Sequence, residues 1–432
     1  MAAVFSQMTD DHAVTASEGL LGGIDRRAFL LALGTFAIGT DAFIIAGVLP
    51  EIATSLSSSL GAAGLVVSVF SLAYAVGSPV ISSLSAGWRR STVLIGGLGV
   101  FAFSNLLSAA SPTLILLLAS RILAALSAGL VAPASYALAS SLGAARNRGK
   151  NLAVIAAGFT SAMVLGVPIG VFLSQYGGWR CSLIFVATLG AIAAVSMLRA
   201  GVPESKSQET ATTLLDQLRV TAKTQTIFAL VPFLVWSIAN FGLYTFIAAI
   251  LRRSLPATAV PFLLLLFGLG AVAGNFIGGV LSDRYGARLP MIMCLTLLIC
   301  ALAGIEFTSS SLIAAGANMI GWAVLMAALF TLQQQRAILV NPAQSNLLLA
   351  LNNSALYLGA SVGSAAFGAI ISAMSIGFIS PISAGVAALS LGALLLMPLR
   401  DQEVPPSGPQ EESRPRAFAE GPHGAEANSP LT

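Results

Sequence analysis

Apolar runs, each closed by a short cluster of proline, glycine or charged residues, recur along the chain from residue 28 to residue 398. Crossing a hydrocarbon core of ~30 Å takes roughly 20 helical residues, and twelve of the runs are long enough. They cover residues 28–49, 62–84, 91–110, 113–141, 151–174 and 180–198, then 226–250, 258–282, 289–307, 311–333, 346–373 and 378–398. The polar stretch from Val202 to Thr224 separates six from six. The pattern predicts an all-α membrane protein, with a tail at 1–25, a six-helix bundle over 26–200, a linker at 201–225, a second six-helix bundle over 226–400 and a tail at 401–432. A basic turn follows the second helix of each half, which implies an internal repeat and two pseudo-symmetric bundles.

Composition strengthens this reading. The chain is 56% hydrophobic and 9% charged, against about 25% charged residues in soluble domains. The first 25 residues carry Asp10, Asp11, Glu18 and Asp25 and no basic residue, so they lack the positive start of a signal peptide and read as a cytoplasmic tail. The segment from Asp401 to Thr432 is rich in Pro, Glu, Gly and Ser, too polar to offset the entropy of ordering, and is expected to be disordered. With both termini cytoplasmic, only Arg180, Arg252 and Arg253 fall outside and only Arg121 lies within a helix, while every other Lys and Arg falls inside. That asymmetry sets the expected orientation in a bacterial-type inner membrane. The net charge of +4 therefore reports topology, and nucleic acid is set aside as a partner. Cys181, Cys294 and Cys300 lie in apolar runs and suggest neither a disulfide nor a metal site.

Several segments carry chemistry. Gly279-Val280-Leu281-Ser282-Asp283-Arg284-Tyr285-Gly286-Ala287-Arg288 joins the eighth and ninth helices. It sets an acid near a helix end, basic residues able to snorkel, and a glycine free to turn tightly. In the first half Leu84-Ser85-Ala86-Gly87-Trp88-Arg89-Arg90 takes the equivalent place, with Ala86 where the acid would be. The fourth helix contains Ser120-Arg121-Ile122-Leu123-Ala124-Ala125-Leu126-Ser127-Ala128-Gly129, and the first contains Gly39-Thr40-Asp41-Ala42-Phe43 ahead of Gly47-Val48-Leu49-Pro50. A lone guanidinium in a span needs a partner or a wet cavity. Asp41 is the only carboxylate well inside a predicted span. Both residues sit about eight positions from the outer helix ends, roughly 12 Å deep, so a pair is expected. Burial favours the neutral form of a carboxyl and an adjacent guanidinium favours the charged form, so a pair that opens and closes can load and release a proton. A permanently closed, purely structural pair is the alternative.

The fifth helix has Gly158, Ala162, Gly166 and Gly170 at four-residue spacing around Pro168, a face suited to close helix approach with a bend. Similar stripes, Gly270, Gly274 and Gly278 in the eighth helix and Gly359 and Gly363 in the eleventh, read first as packing. Two nucleotide-site near-misses fail on spacing. The loop from Gly143 to Asn151 has one residue too many between its glycines and Asn151 where a P-loop needs Ser or Thr, and Gly268-Leu269-Gly270 has its third glycine one position late.

The turn at Gly279–Arg288 resembles the signature loop of the major facilitator superfamily. The Arg121 segment resembles that family's conserved-arginine motif, and Gly166-Val167-Pro168-Ile169-Gly170 with the later Gly178-Trp179-Arg180 is similar to its antiporter motif. The Thr40–Pro50 segment looks like the sugar-, arabinose- and chloramphenicol-efflux permeases of the twelve-helix drug:proton antiporter branch. The resemblance, over about residues 26 to 400, implies the major facilitator fold and export of a drug-like compound or sugar in exchange for protons by alternating access, as in multidrug resistance. It also implies conformational roles for Gly279, Asp283, Arg284, Gly286, Arg288, Gly166, Pro168 and Gly170. Helices 1, 4, 7 and 10 line the cavity in that fold, so Phe43, Phe233, Trp236, Asn240, Tyr244, Asn318 and Trp322 are candidate substrate contacts, although an aromatic stripe equally suits packing. The expected partners are a small molecule, protons and the bilayer. No cofactor, metal or obligate protein partner is expected, and the chain is expected to be a monomer without enzymatic activity. A proton-independent facilitator and a non-transporting scaffold or sensor are the rival readings.

Overall fold

The computed structural model describes residues 24–85, 87–142, 147–201 and 224–397. Most of the N-terminal tail, nearly all of the linker, the C-terminal tail, Ala86 and part of the loop after the fourth helix lie outside the described residues, as do the expectations that fall on them. Among the described residues, twelve helices are long and apolar enough to cross a membrane. In the first half they are α1 (Arg26–Ser55), α2 (Leu60–Leu84), α3 (Arg90–Ala110), α4 (Leu114–Ser141), α5 (Arg148–Gly177) and α6 (Trp179–Ala200). In the second they are α7 (Thr224–Thr245), α8 (Ala259–Tyr285), α9 (Arg288–Thr308), α10 (Leu312–Val340), α11 (Ser345–Ala373) and α12 (Ile379–Leu396). Among the described residues there is no strand.

Local chemistry sets the ends. Asp25 caps α1 by accepting from the backbone N–H of Arg27, and Ser59 caps α2 by accepting from that of Ala62. Gly178 and Gly286 take positive φ of 73° and 69°, where a side chain would be strained, and so close α5 and α8 sharply. Three elements differ from the sequence expectation. The first helix does not stop at residue 49 but runs through Pro50 to Ser55. The seventh breaks at Phe246, after which Ile247–Leu251 forms a separate short turn. The tenth continues past residue 333 to Val340, because Gln333 and Arg336, which look like an exit into water, are buried and bonded to neighbouring helices.

Packing repeats between the halves. The pairs α1–α5, α1–α6, α2–α4, α3–α4 and α3–α6 recur as α7–α11, α7–α12, α8–α10, α9–α10 and α9–α12. Between the halves, α2 lies on α11 and α5 lies on α8. Each glycine stripe has a definite neighbour. A Cβ added at Gly158, Gly166 or Gly170 of α5 would come within 2.4 Å of Ala32 O, 1.9 Å of Thr40 Oγ1 and 2.0 Å of Ile44 Cδ1 on α1. The stripe of α8 meets α10 in the same way, and Gly359 and Gly363 of α11 meet α7. Small residues let these backbones approach, which is the main source of attraction where lipid offers no hydrophobic gain.

The contacts that cross between halves cluster towards the end where α1 finishes. The carboxylate of Glu51 on α1 accepts from the Arg252 guanidinium just beyond α7, and Gln175 Nε2 donates to Ala257 O at 3.1 Å. Ser68 Oγ of α2 donates to Ser361 O of α11 at 2.9 Å. Added Cβ atoms at Gly61 and Gly268 would fall 2.2 Å from Gly368 O and 2.4 Å from Met163 O across the divide. This end is the closed end of the bundle.

Candidate functional site

The deepest polar feature joins three helices of the first half. Arg121 of α4 donates from Nη1 to Asp41 Oδ1 at 2.8 Å and from Nη2 to Asp41 Oδ2 at 2.9 Å, a fork-on-fork contact with α1. Nη1 also donates to Asn105 Oδ1 of α3 at 3.2 Å. The guanidinium carbon lies 4.6 Å from the centre of the Phe70 ring on α2. Asp41 is 0% and Arg121 1% exposed. The expected pair forms even though α1 runs on to Ser55. Asn105 and Phe70 are additions to the sequence reading. Asn105 could have been found as the lone amide in the third span, since a buried amide in a membrane helix wants a partner.

Beside Asp41 the regular helix of α5 gives way to a π-helical turn over Ala162–Gly166, directly ahead of Pro168. Proline supplies no N–H to the ladder, and a wider turn accommodates the missing bond. Gly166 then faces Thr40, the residue before Asp41. Periodicity does not reveal a π turn, and sequence inspection missed it.

Two residues beyond Asp41, Phe43 reaches the second half. Its ring centre is 6.2 Å from Phe241 and 6.0 Å from Tyr244 of α7. Tyr244 continues the cluster to Phe267 of α8 at 5.1 Å and Trp322 of α10 at 6.2 Å. Phe233 and Trp236 stack at 4.9 Å, and Trp236 meets Phe241 edge-on at 6.2 Å. Trp322 Nε1 donates to Asn240 Oδ1 at 2.6 Å. Six of the seven cavity candidates thus belong to one aromatic cluster, and the seventh does not. Asn318 turns to α9 instead, where Nδ2 donates to Ala301 O at 3.2 Å. Phe241 and Phe267 were absent from the sequence-derived set because nothing in their spacing separates them from ordinary apolar positions.

Within this cluster Trp236 Nε1 and Asn240 Nδ2 are buried without an acceptor, as is Arg121 Nε across the divide. An unsatisfied buried donor costs about 1–3 kcal/mol, which a bridging water or a bound molecule relieves. The residues of the eighth-to-ninth turn take other positions. Asp283 and Arg284 are exposed, Gly286 supplies the left-handed turn, Arg288 opens α9, and an added Cβ on Gly279 would meet open space.

Comparison with known proteins agrees with this architecture. The chain matches the Major Facilitator Superfamily over residues 31–364 and, in an overlapping second match, 255–428. It is 32% identical to the inner membrane transport protein YdhP of Escherichia coli, covering 86% of this chain and 95% of that protein. It is 28% identical to the uncharacterized MFS-type transporter YbcL of Bacillus subtilis over the same shares. A chloramphenicol resistance protein of Streptomyces lividans is 33% identical over 63% of this chain and 70% of its own length. Among solved structures, the nucleoside transporter NupG superposes with a TM-score of 0.70 at 13% identity, covering 85% of this chain and 98% of that one. The xylose transporter XylE from E. coli, in a partially occluded inward-open conformation, gives 0.68 at 15% identity, covering 85% and 96%. These two show a shared fold. Twelve spanning helices in two repeating bundles, the buried Asp41–Arg121 fork and these full-length matches lead to one conclusion: this chain belongs to the Major Facilitator Superfamily and is a multi-pass membrane transporter, not an enzyme.

Proposed function

We propose that the protein exports a small molecule across the bacterial inner membrane in exchange for protons, by alternating access, with Asp41 and Arg121 as the coupling pair. The observation that carries this reading is the fully buried, bidentate Asp41–Arg121 contact beside the divide between the halves. Both oxygens of Asp41 accept from the one guanidinium, so a proton can reach the carboxylate only when that contact opens. Parting the halves moves Phe43 away from α7 and changes the surroundings of Asp41, which gives a proton a reason to bind in one state and leave in the other.

The excess of basic residues on the face where α1 begins orients both termini to the cytoplasm. The closed end then faces outward, and the arrangement corresponds to an inward-facing carrier. In that state the Gly279–Arg288 turn is disengaged, with Asp283 and Arg284 exposed, and would latch when the cytoplasmic ends meet. The name of the Streptomyces lividans relative supports a drug-like cargo. The driving force is adequate, since one inward proton contributes about 2.3 kcal/mol per 100 mV and about 1.4 kcal/mol per pH unit.

Everted membrane vesicles test the reading. After respiration acidifies the lumen, adding chloramphenicol should discharge the pH gradient in vesicles carrying the wild-type protein and not in those carrying Asp41→Asn. An equal discharge with Asp41→Asn would remove Asp41 from the coupling and leave a facilitator with a structural pair.

A further inference from the structure

We propose that the aromatic cluster selects neutral molecules with a flat ring that bears hydrogen-bond acceptors, and that it turns away lipophilic cations and polyols. The inference rests on the transporter reading above and goes beyond it by naming the substrate class. Three observations lead to it.

The first is the shape of the cluster. Phe43 comes from one half and Phe241, Tyr244 and Trp322 from the other. A flat ring that replaces Phe43 when the halves part would stack on Phe241 and stand edge-on to Tyr244, with Trp322 behind Tyr244. Aromatic surfaces of this kind take up planar ligands with little loss of side-chain freedom.

The second is the bonding inventory. Asn240 Oδ1 already accepts from Trp322 Nε1, and both oxygens of Asp41 already accept from Arg121. Within the cluster the buried atoms left without a hydrogen bond are donors, Trp236 Nε1 and Asn240 Nδ2, on residues 2% and 0% exposed. A nitro group, carbonyl or ring nitrogen satisfies an N–H, and a polyol, which has no flat ring, forfeits the aromatic contacts.

The third is charge. Aromatic faces alone attract cations, but a cation held in the membrane interior also needs an anion nearby. The carboxylate at this depth is neutralised by Arg121, and Glu51 is engaged by Arg252 at the closed end. Among the described residues a cation bound at the cluster would find no unpaired acid at that depth.

Four probes separate the outcomes when binding to the purified full-length protein is measured by equilibrium dialysis: chloramphenicol, its analogue with the nitro group reduced to an amine, tetraphenylphosphonium and xylose. The proposal expects chloramphenicol to bind at least tenfold more tightly than the other three. It also expects Trp236→Phe, which keeps the ring and removes the N–H, to shrink the gap between the nitro and amino compounds severalfold without changing the thermal midpoint of unfolding by more than a few degrees. Equal or tighter binding of tetraphenylphosphonium or xylose, a nitro–amino gap unchanged in Trp236→Phe, or binding of none of the four would overturn it. The two levels of the argument fail separately. Proton-driven transport of tetraphenylphosphonium or xylose would sink the substrate class and keep the antiporter, while selective chloramphenicol binding without proton-driven transport would do the reverse.

Discussion

A single residue contact, the fork between Asp41 and Arg121, explains most of what this chain can do at the smallest scale. Removing one member of a buried pair strands the other, at a cost of about 3–5 kcal/mol, whereas replacing both by apolar groups of similar volume is often neutral. Asp41→Ala is therefore expected to lower the thermal midpoint of the purified protein clearly, and the double variant Asp41→Leu/Arg121→Met to recover it while remaining inactive. A double variant no more stable than Asp41→Ala would mean that the pair does not act as a unit. Arg121→Lys should also abolish transport, since an ammonium cannot donate two parallel bonds to Asp41 and a third to Asn105. The pair was legible in the sequence because charges are rare in membrane spans and these two had no rivals at their depth. Asn105 and the aromatic partners of Tyr244 were harder to read, since an amide or a phenylalanine in an apolar run looks the same whether it faces a site or a neighbour.

At the scale of helices, glycine decides where one element can slide on another. Gly61 of α2 meets the backbone of Gly368 on α11, and Gly268 of α8 meets that of Met163 on α5. Backbone cannot move aside as a side chain can. Gly61→Ala and Gly268→Ala are expected to hold the closed end apart, so spin labels at exposed Ser57 and half-buried Gln175 on one side and exposed Ala257 on the other should report longer distances than in the wild type. Unchanged distances would show that this packing does not set the state. Glu51→Gln, which removes the charge facing Arg252, should shift the same distances in the same direction and by less, because a partly exposed ion pair is worth little. The number, type and approximate extent of the helices followed from the apolar runs. The exceptions share one cause, since proline within α1, the break at Phe246 and the polar end of α10 all depend on neighbours that no local pattern records. Arg336 is the clearest case: it resembles a loop charge but is buried, donating to Phe228 O and Met397 O.

For the whole molecule, the repeated packing of the two halves and their contact through α2–α11 and α5–α8 are the arrangement that the proposed rocking about a central site requires. The π turn at Ala162–Gly166 lies where that rocking meets the coupling pair, with Gly166 against Thr40 and Met163 against Gly268. In the proposed cycle a change at the divide would reach Asp41 through this packed backbone rather than through a flexible loop. The central claim is that this motion exchanges substrate for protons at Asp41. The most direct test is uptake of radiolabelled chloramphenicol by inside-out-oriented proteoliposomes with an imposed acidic interior. The account predicts accumulation above the external concentration in the wild type. In Asp41→Asn it predicts equilibration only, with exchange of labelled for unlabelled chloramphenicol preserved. Accumulation by Asp41→Asn equal to that of the wild type, or wild-type uptake indifferent to the pH gradient, would contradict it.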